Sequence, residues 1–129
     1  MNRLVATVAL MLLAILFAPA AFAAEDADCT AMTQVVTDSN QGAPYMVDSI
    51  TRSEVATEDC VTKTAGFNWS ILADASALSQ GWHEILKGNF EKGFCSRPEL
   101  TAIIKAGWTI MATWKTQDGQ VFSTQVACP

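Results

Sequence analysis

From Trp108 to Cys128, bulky and polar residues alternate on both sides of Asp118-Gly119, the period of two that marks strands with one buried face. Two hairpin registers compete. A two-residue loop at Asp118-Gly119 sets Trp114 opposite Ser123 and Ala112 opposite Gln125, which splits the apolar pattern. A three-residue loop, Gln117-Asp118-Gly119, with Gly119 left-handed in a bulge, sets Trp114 opposite Phe122, Ala112 opposite Thr124 and Ile110 opposite Val126. The second register gathers Trp108, Ile110, Ala112, Trp114, Phe122, Val126 and Cys128 on the side a helix would cover. It leaves Thr109, Met111, Thr113, Lys115, Ser123 and Gln125 on the outer face.

Upstream, CSRPELTAIIKAGW carries helix punctuation: Ser96 as N-cap, Pro98 in the first turn, Glu99 completing a capping box and Gly107 as the stop. Leu100, Ile103 and Ile104 form its apolar side. Residues 76–92 place Leu78, Trp82, Ile85, Leu86 and Phe90 three and four apart, the stripe of a helix lying on a sheet. Gly81 and Gly88 weaken that helix, and a close approach of backbones is the expected reason for at least one of them. The stretches Ser49–Thr64 and Phe67–Ala73 read as a second hairpin, less cleanly patterned, with its turn at Ala65-Gly66. Residues 27–39 read as a short surface helix carrying Met32, Val35 and Val36, stopped by Asn40, Gly42 and Pro44. The order is helix, two strands, two helices, two strands. It predicts an α+β fold: two antiparallel hairpins in one small sheet of about four strands, covered on one face by two helices, plus the N-terminal helix.

The first 23 residues change the compartment. One arginine, an apolar run from Leu4 to Ala18 and the triplet Ala21-Phe22-Ala23 form the pattern of a secretory signal peptide with cleavage after Ala23. The run is shorter than the ~20 residues that span a bilayer, and Cys29 lies too far from Ala24 for a lipid anchor. Of 129 residues, 106 remain (24–129), one small domain that does not insert in a membrane. Loss of Arg3 moves the formal charge from −5 to −6. No basic face is available to displace counterions from nucleic acid.

All four cysteines fall after the leader, and an even number in a small exported domain argues for disulfides. Zinc and thiol redox chemistry would need closely paired cysteines, and no C-x-x-C occurs. The hairpin register places Cys128 under the helices near the base of the hairpin. Cys95 sits at the edge of the helical layer, between a helical stretch and a strong helix start. The pairing Cys95–Cys128 follows, and elimination leaves Cys29–Cys60. Loops of thirty-odd residues make each bridge worth about 3 to 4 kcal/mol in the chain-entropy model.

Candidate chemistry is sparse. His83, the sole histidine, lies off the apolar stripe with no serine, cysteine or second histidine in a catalytic setting, and reads as a surface residue. Glu58 and Asp59 are adjacent, so in a strand they point to opposite faces and cannot share one acid-base site. Calcium-loop, phosphate-loop and dinucleotide patterns are absent, and no metal or cofactor is expected. Asn68-Trp69-Ser70 matches a glycosylation triplet but lies in an expected strand. Trp69, Trp82, Trp108 and Trp114 all fall on apolar faces and read as core. The exception is PYMVDSITR: Tyr45, Met46 and Val47 follow a proline in a loop, with Asp48 and Arg52 beside them as a weak surface pair. The plainer expectation is a loop whose apolar residues tuck under the N-terminal helix; against it, these five residues are the candidates for contact with a partner.

The chain resembles a group of small exported bacterial proteins of unassigned function, through Pro44, Met46, Val47, Asp48, Thr51 and Arg52 and then Cys95, Pro98, Glu99, Gly107, Trp114, Asp118, Gly119 and Cys128. The resemblance runs from about residue 44 to the end. It implies an α+β domain with a Cys95–Cys128 bridge and carries no activity. Cys29, Cys60 and tryptophans in place of tyrosines depart from the group. The expected function is that of a periplasmic or secreted binding protein, not an enzyme. It would act through a protein partner, an envelope assembly or a host enzyme that it inhibits. The alternatives are a small secreted enzyme and an accessory of a secretion or pilus apparatus.

Overall fold

The computed structural model describes residues 20–129; residues 1–19, most of the expected leader, lie outside the described residues. The elements are α1 (Ala20–Ser39), β1 (Tyr45–Met46), β2 (Thr51–Ser53), β3 (Thr57–Asp59), β4 (Thr64–Ile71), α2 (Trp82–Cys95), α3 (Pro98–Lys105), β5 (Thr109–Thr116) and β6 (Val121–Gln125). The fold is α+β, with both disulfides formed: Cys29 to Cys60 and Cys95 to Cys128, with Cα separations of 5.4 and 5.5 Å.

The terminal hairpin adopts the three-residue loop. Trp114 pairs with Phe122 and Ala112 with Thr124, Val126 N–H donates to the Ile110 carbonyl at 2.8 Å, and Gly119 has φ +89°. Trp108, Ile110, Ala112, Trp114 and Val126 are all buried. Asp118 fastens the turn to the crossover by accepting from the Thr116 hydroxyl at 2.5 Å and from Ala75 N–H at 3.1 Å.

The expected four-stranded layout is corrected to six strands in the order β1-β2-β4-β5-β6, with β3 also on β4. The two hairpins join through β4 and β5, which run parallel over eight residues from Thr64↔Thr109 to Ile71↔Thr116. A parallel neighbour needs a long crossover, and α2 and α3 supply it across the sheet. The expected turn at Ala65-Gly66 is also corrected. Both residues lie inside β4, opposite Glu58 and Thr57, and Ala65 is buried. The chain turns instead at Cys60–Lys63, where the Asp59 carboxylate accepts from Val61 N–H at 2.8 Å and Thr62 N–H at 3.3 Å.

β2 and β3 form one interrupted strand. Ser53 faces Trp69 and Thr57 faces Gly66, so four steps on one side match three on the other, the extra residue of a bulge. Asn40, just after α1, holds this bulge by accepting from Ala56 N–H at 2.7 Å and donating to its carbonyl at 2.9 Å. A further edge strand, β1, pairs Tyr45 with Ser53 and Met46 with Arg52.

The helices depart from expectation in detail. α1 packs into the core, not onto the surface: Met32 is fully buried in a cluster with Leu100, Ile103 and Trp108. α2 begins at Trp82, later than residue 76, after Gly81 at φ +77°, and runs on to Cys95. Leu78 therefore precedes it, and Ile85 is exposed. Gly88 has open space where a Cβ would stand, and Gly81 serves backbone conformation, so neither answers to close packing. The capping box is not formed: Arg97 occupies the N-cap position without a side-chain cap. The Ser96 hydroxyl instead donates to the Gly93 carbonyl at 2.8 Å, and Glu99 pairs with Arg97 at 2.7 Å. The stop at Gly107 does form, with Gly107 N–H on the Ile104 carbonyl and Trp108 N–H on that of Ile103, the Schellman arrangement.

Candidate functional site

In-register strands stack their core-facing side chains in rows across the sheet. One row runs Trp69, Trp114, Phe122 over β4, β5 and β6, with ring centroids 5.0 and 5.8 Å apart and planes nearly parallel. α2 lies over this row: Phe90 meets Trp69 edge-on at 5.1 Å and packs on Phe67 and Phe94 at 5.8 and 5.7 Å. Over β5 and β6 the cover is close, and Trp114 is 3% exposed. Toward β1 it opens.

There the surface holds a groove of about 480 Å³. Its floor is Phe67 and Trp69. One wall is α2, through Asn89, Phe90 and Phe94; the other is the C-terminal turn of α1, through Val35, Asp38 and Ser39. Tyr45 and Val47 stand at the rim, 40% and 51% exposed. Arg97 and Leu100 close the end by α3. The groove is thus aromatic at its base, with one acid and one arginine at its margins.

Of the five candidate residues, the groove uses Tyr45 and Val47. Alternation along β1 turns Met46 to the opposite face, beside Arg52, its register partner. Arg52 donates to Glu54 at 2.6 Å, and Glu54 also accepts from the Ser70 hydroxyl at 2.7 Å. These contacts, the Ser70 hydroxyl first and Arg52 second, hold the Glu54 carboxyl below the usual range. The expected Asp48–Arg52 pair is therefore replaced by Arg52–Glu54. Asp48 shapes the β1–β2 turn: its carboxylate accepts from Ile50 and Thr51 N–H at 2.8 and 2.7 Å, which lowers its pKa, Ile50 contributing most. Asp48 also borders a smaller depression of about 200 Å³ with Ile50, Trp82 and Ile85.

The floor residues Phe67 and Trp69 and the wall residues Phe90 and Phe94 were legible as apolar but not as a site. Trp69 read as core and is only half-buried. Phe94 fell beyond the expected helix, although it extends the spacing Trp82, Leu86, Phe90 by one more step of four. The α1 wall has no local signature. His83 is exposed and stacks on Phe122 at 4.6 Å. Asn68 donates from its side chain to the Val55 carbonyl at 3.1 Å within β4. Among the described residues no group of three or more His, Cys, Asp or Glu side chains is placed to hold a metal ion, and no helix is long and apolar enough to cross a membrane.

No protein-family model matches the chain, and no curated protein does. Two solved structures share the fold. One is a Pseudomonas aeruginosa protein provisionally described as secreted, 11% identical, with a TM-score of 0.61 over 76% of this chain and 87% of that one. The other is the type II secretion system pilotin of Vibrio cholerae, 14% identical, with a TM-score of 0.56 over 83% of this chain and 95% of that one.

Proposed function

We propose that the chain is exported by its N-terminal leader and works outside the cytoplasm as a small binding protein, with no catalytic activity of its own, that seats part of a protein partner in the groove between α1, β1 and α2. The observation that carries this reading is the opening of an aromatic-floored groove with the exposed apolar side chains of Tyr45 and Val47 at its rim. A monomeric domain whose only need was a packed core would close that gap; exposed apolar surface concentrated beside a cleft marks interaction sites. Two disulfides in a small domain favour an oxidising compartment. The shared fold with a secretion pilotin supports a place among the accessory proteins of a secretion apparatus. The P-x-M-V-D-x-x-T-R stretch supports membership of the small exported bacterial group that it resembles.

Photo-crosslinking in the native cell tests the reading. A benzophenone side chain at Tyr45 or Val47 of the full chain is expected to give one adduct of defined mass. The same group at Val61, exposed on the β3–β4 turn, is expected to give none. Equal labelling at all three positions, or no adduct at the rim, overturns it.

A further inference from the structure

The sheet ends at β1 and the three-residue β3 on one side and at β6 on the other, and the two sides are built differently. β1 is two residues long, and Pro44, which has no N–H to offer, precedes it. β6 runs five residues, VFSTQ, with no proline and no charge. The ladder to β5 uses its even-numbered positions: Thr116 N–H donates to the Gln120 carbonyl and Val126 N–H to that of Ile110, both at 2.8 Å. The alternation of an antiparallel pair then turns the N–H and C=O of Val121, Ser123 and Gln125 outward. Of these groups, the Gln125 carbonyl receives one long contact, 3.5 Å from the Thr124 hydroxyl. Both ends of the strand are pinned, by the Thr116–Asp118 turn at one end and at the other by Ala127 N–H on Glu91 at 2.9 Å and the Cys95–Cys128 bridge. The edge is ordered before anything meets it, which lowers the entropic cost of pairing.

We propose that β6 pairs antiparallel with β6 of a second copy about a two-fold axis through Ser123, joining the two sheets into one. In this register Val121 faces Gln125 of the second copy, Ser123 faces its own counterpart and Phe122 faces Thr124. Each of the three outward-facing pairs exchanges two backbone bonds, about six in all. No like charges oppose each other, because the strand carries none. Pairing through one shared edge closes at the dimer, and the short, proline-led β1 edge gives no route to a polymer. The contact is small, so the dimer is weak and concentration-dependent. The binding groove lies toward the other edge of the sheet and stays open in each copy. Two grooves on one particle would let a repeated partner bind with avidity.

Sedimentation of the disulfide-bonded protein over a wide concentration range, together with amide exchange, tests this. The expected result is a rise toward dimer. Exchange at Val121, Ser123 and Gln125 should slow with concentration, while Phe122 and Thr124 stay protected throughout. Ser123→Pro removes the outward N–H at the axis and leaves the backbone ladder to β5 intact, losing only the exposed hydroxyl contact of Ser123 with Thr113 at 2.8 Å, and Ser123→Lys sets two like charges face to face. Both should abolish the dimer, whereas Thr109→Lys on the same sheet face should leave it intact. A monomer at every concentration overturns the proposal, as does a dimer that survives both Ser123 changes. A monomer whose outward amides become protected only on adding an extended peptide of another protein also overturns it, in favour of strand addition by that protein.

Discussion

The terminal hairpin and the β1–β2–β3 side of the sheet do opposite things with the same kinds of residue. In β5 and β6, Ile110, Ala112, Trp114 and Phe122 recur at every second position, broken only by Thr116 and Thr124, the register is unbroken and α2 packs over the inner face. In the other half, a bulge at residues 54–56 interrupts the pairing to β4, Val55 stands 53% exposed, and Tyr45 and Val47 rim an open groove. A regular ladder lets successive rows of side chains interdigitate with the helices above. A bulge shifts the register by one residue, bends the strand and adds local twist, and here it lies beside the opening. Order on one side of β4 and irregularity on the other divide the molecule into a packed half and a half available for contact.

Core truncation should sharpen the contrast most. Trp114→Ala removes the middle ring of the Trp69–Trp114–Phe122 row and is expected to cost about 3 to 5 kcal/mol. Val55→Ala on the bulge is expected to fall within roughly 0.5 kcal/mol of the parent. Urea unfolding followed by tryptophan fluorescence measures both, and similar losses would erase the distinction between the halves.

A second substitution attacks the irregular half at its anchor. Asn40→Ala leaves the N–H and C=O of Ala56, a residue 4% exposed, without their partners. The expected cost is about 1 to 3 kcal/mol, with faster amide exchange confined to residues 51–59. Exchange that quickens equally in β5 and β6 would show that the bulge is not a separate unit.

The smallest effect concerns the link between the halves. Asp28 on α1 accepts from Trp108 Nε1–H at 2.6 Å and from Lys63 Nζ at 3.2 Å, joining the start of β5 to the β3–β4 turn. The Trp108 hydrogen bond first, then Lys63, outweigh partial desolvation and hold the Asp28 carboxyl below its ordinary value. A depressed carboxyl stabilises the fold above the ordinary carboxylate value near pH 4 and ceases to do so as pH falls through its folded value. Asp28→Asn should therefore lower the urea midpoint modestly at pH 7, with the gap to the parent narrowing below about pH 4. A gap that does not change with pH would remove the ionised carboxylate from the account.

How much was legible varied with the range of the interaction. The last hairpin could be read in full because its signals are local: a period of two, an Asp-Gly turn and a loop length that admits one register with all bulky residues on one side. Its bridge to Cys95 followed from that register. The upstream half misled because Ala65-Gly66 looks like a turn and Asp59 does not announce one. A small residue inside a central strand is acceptable when both flanking strands pair there, and that pairing is a long-range fact. The capping box failed for a related reason, since Ser96 bonded the end of α2 instead of the start of α3. Tyr45 and Val47 stood out as apolar residues in a loop, but the favoured expectation that they tuck under the N-terminal helix does not hold, since both are exposed. The groove beside them was invisible, because its floor comes from β4 and its walls from α1 and α2.

The amino-acid sequence alone determined which faces are apolar, how the final hairpin turns and which cysteines can meet, because each depends on residues a few positions apart or on simple exclusion among four thiols. Only the tertiary structure decided that β4 and β5 run side by side in parallel, that α1 enters the core and that a cleft remains over Phe67 and Trp69. Those outcomes depend on how elements distant in sequence pack together, and residual space between packed elements belongs to no single one of them.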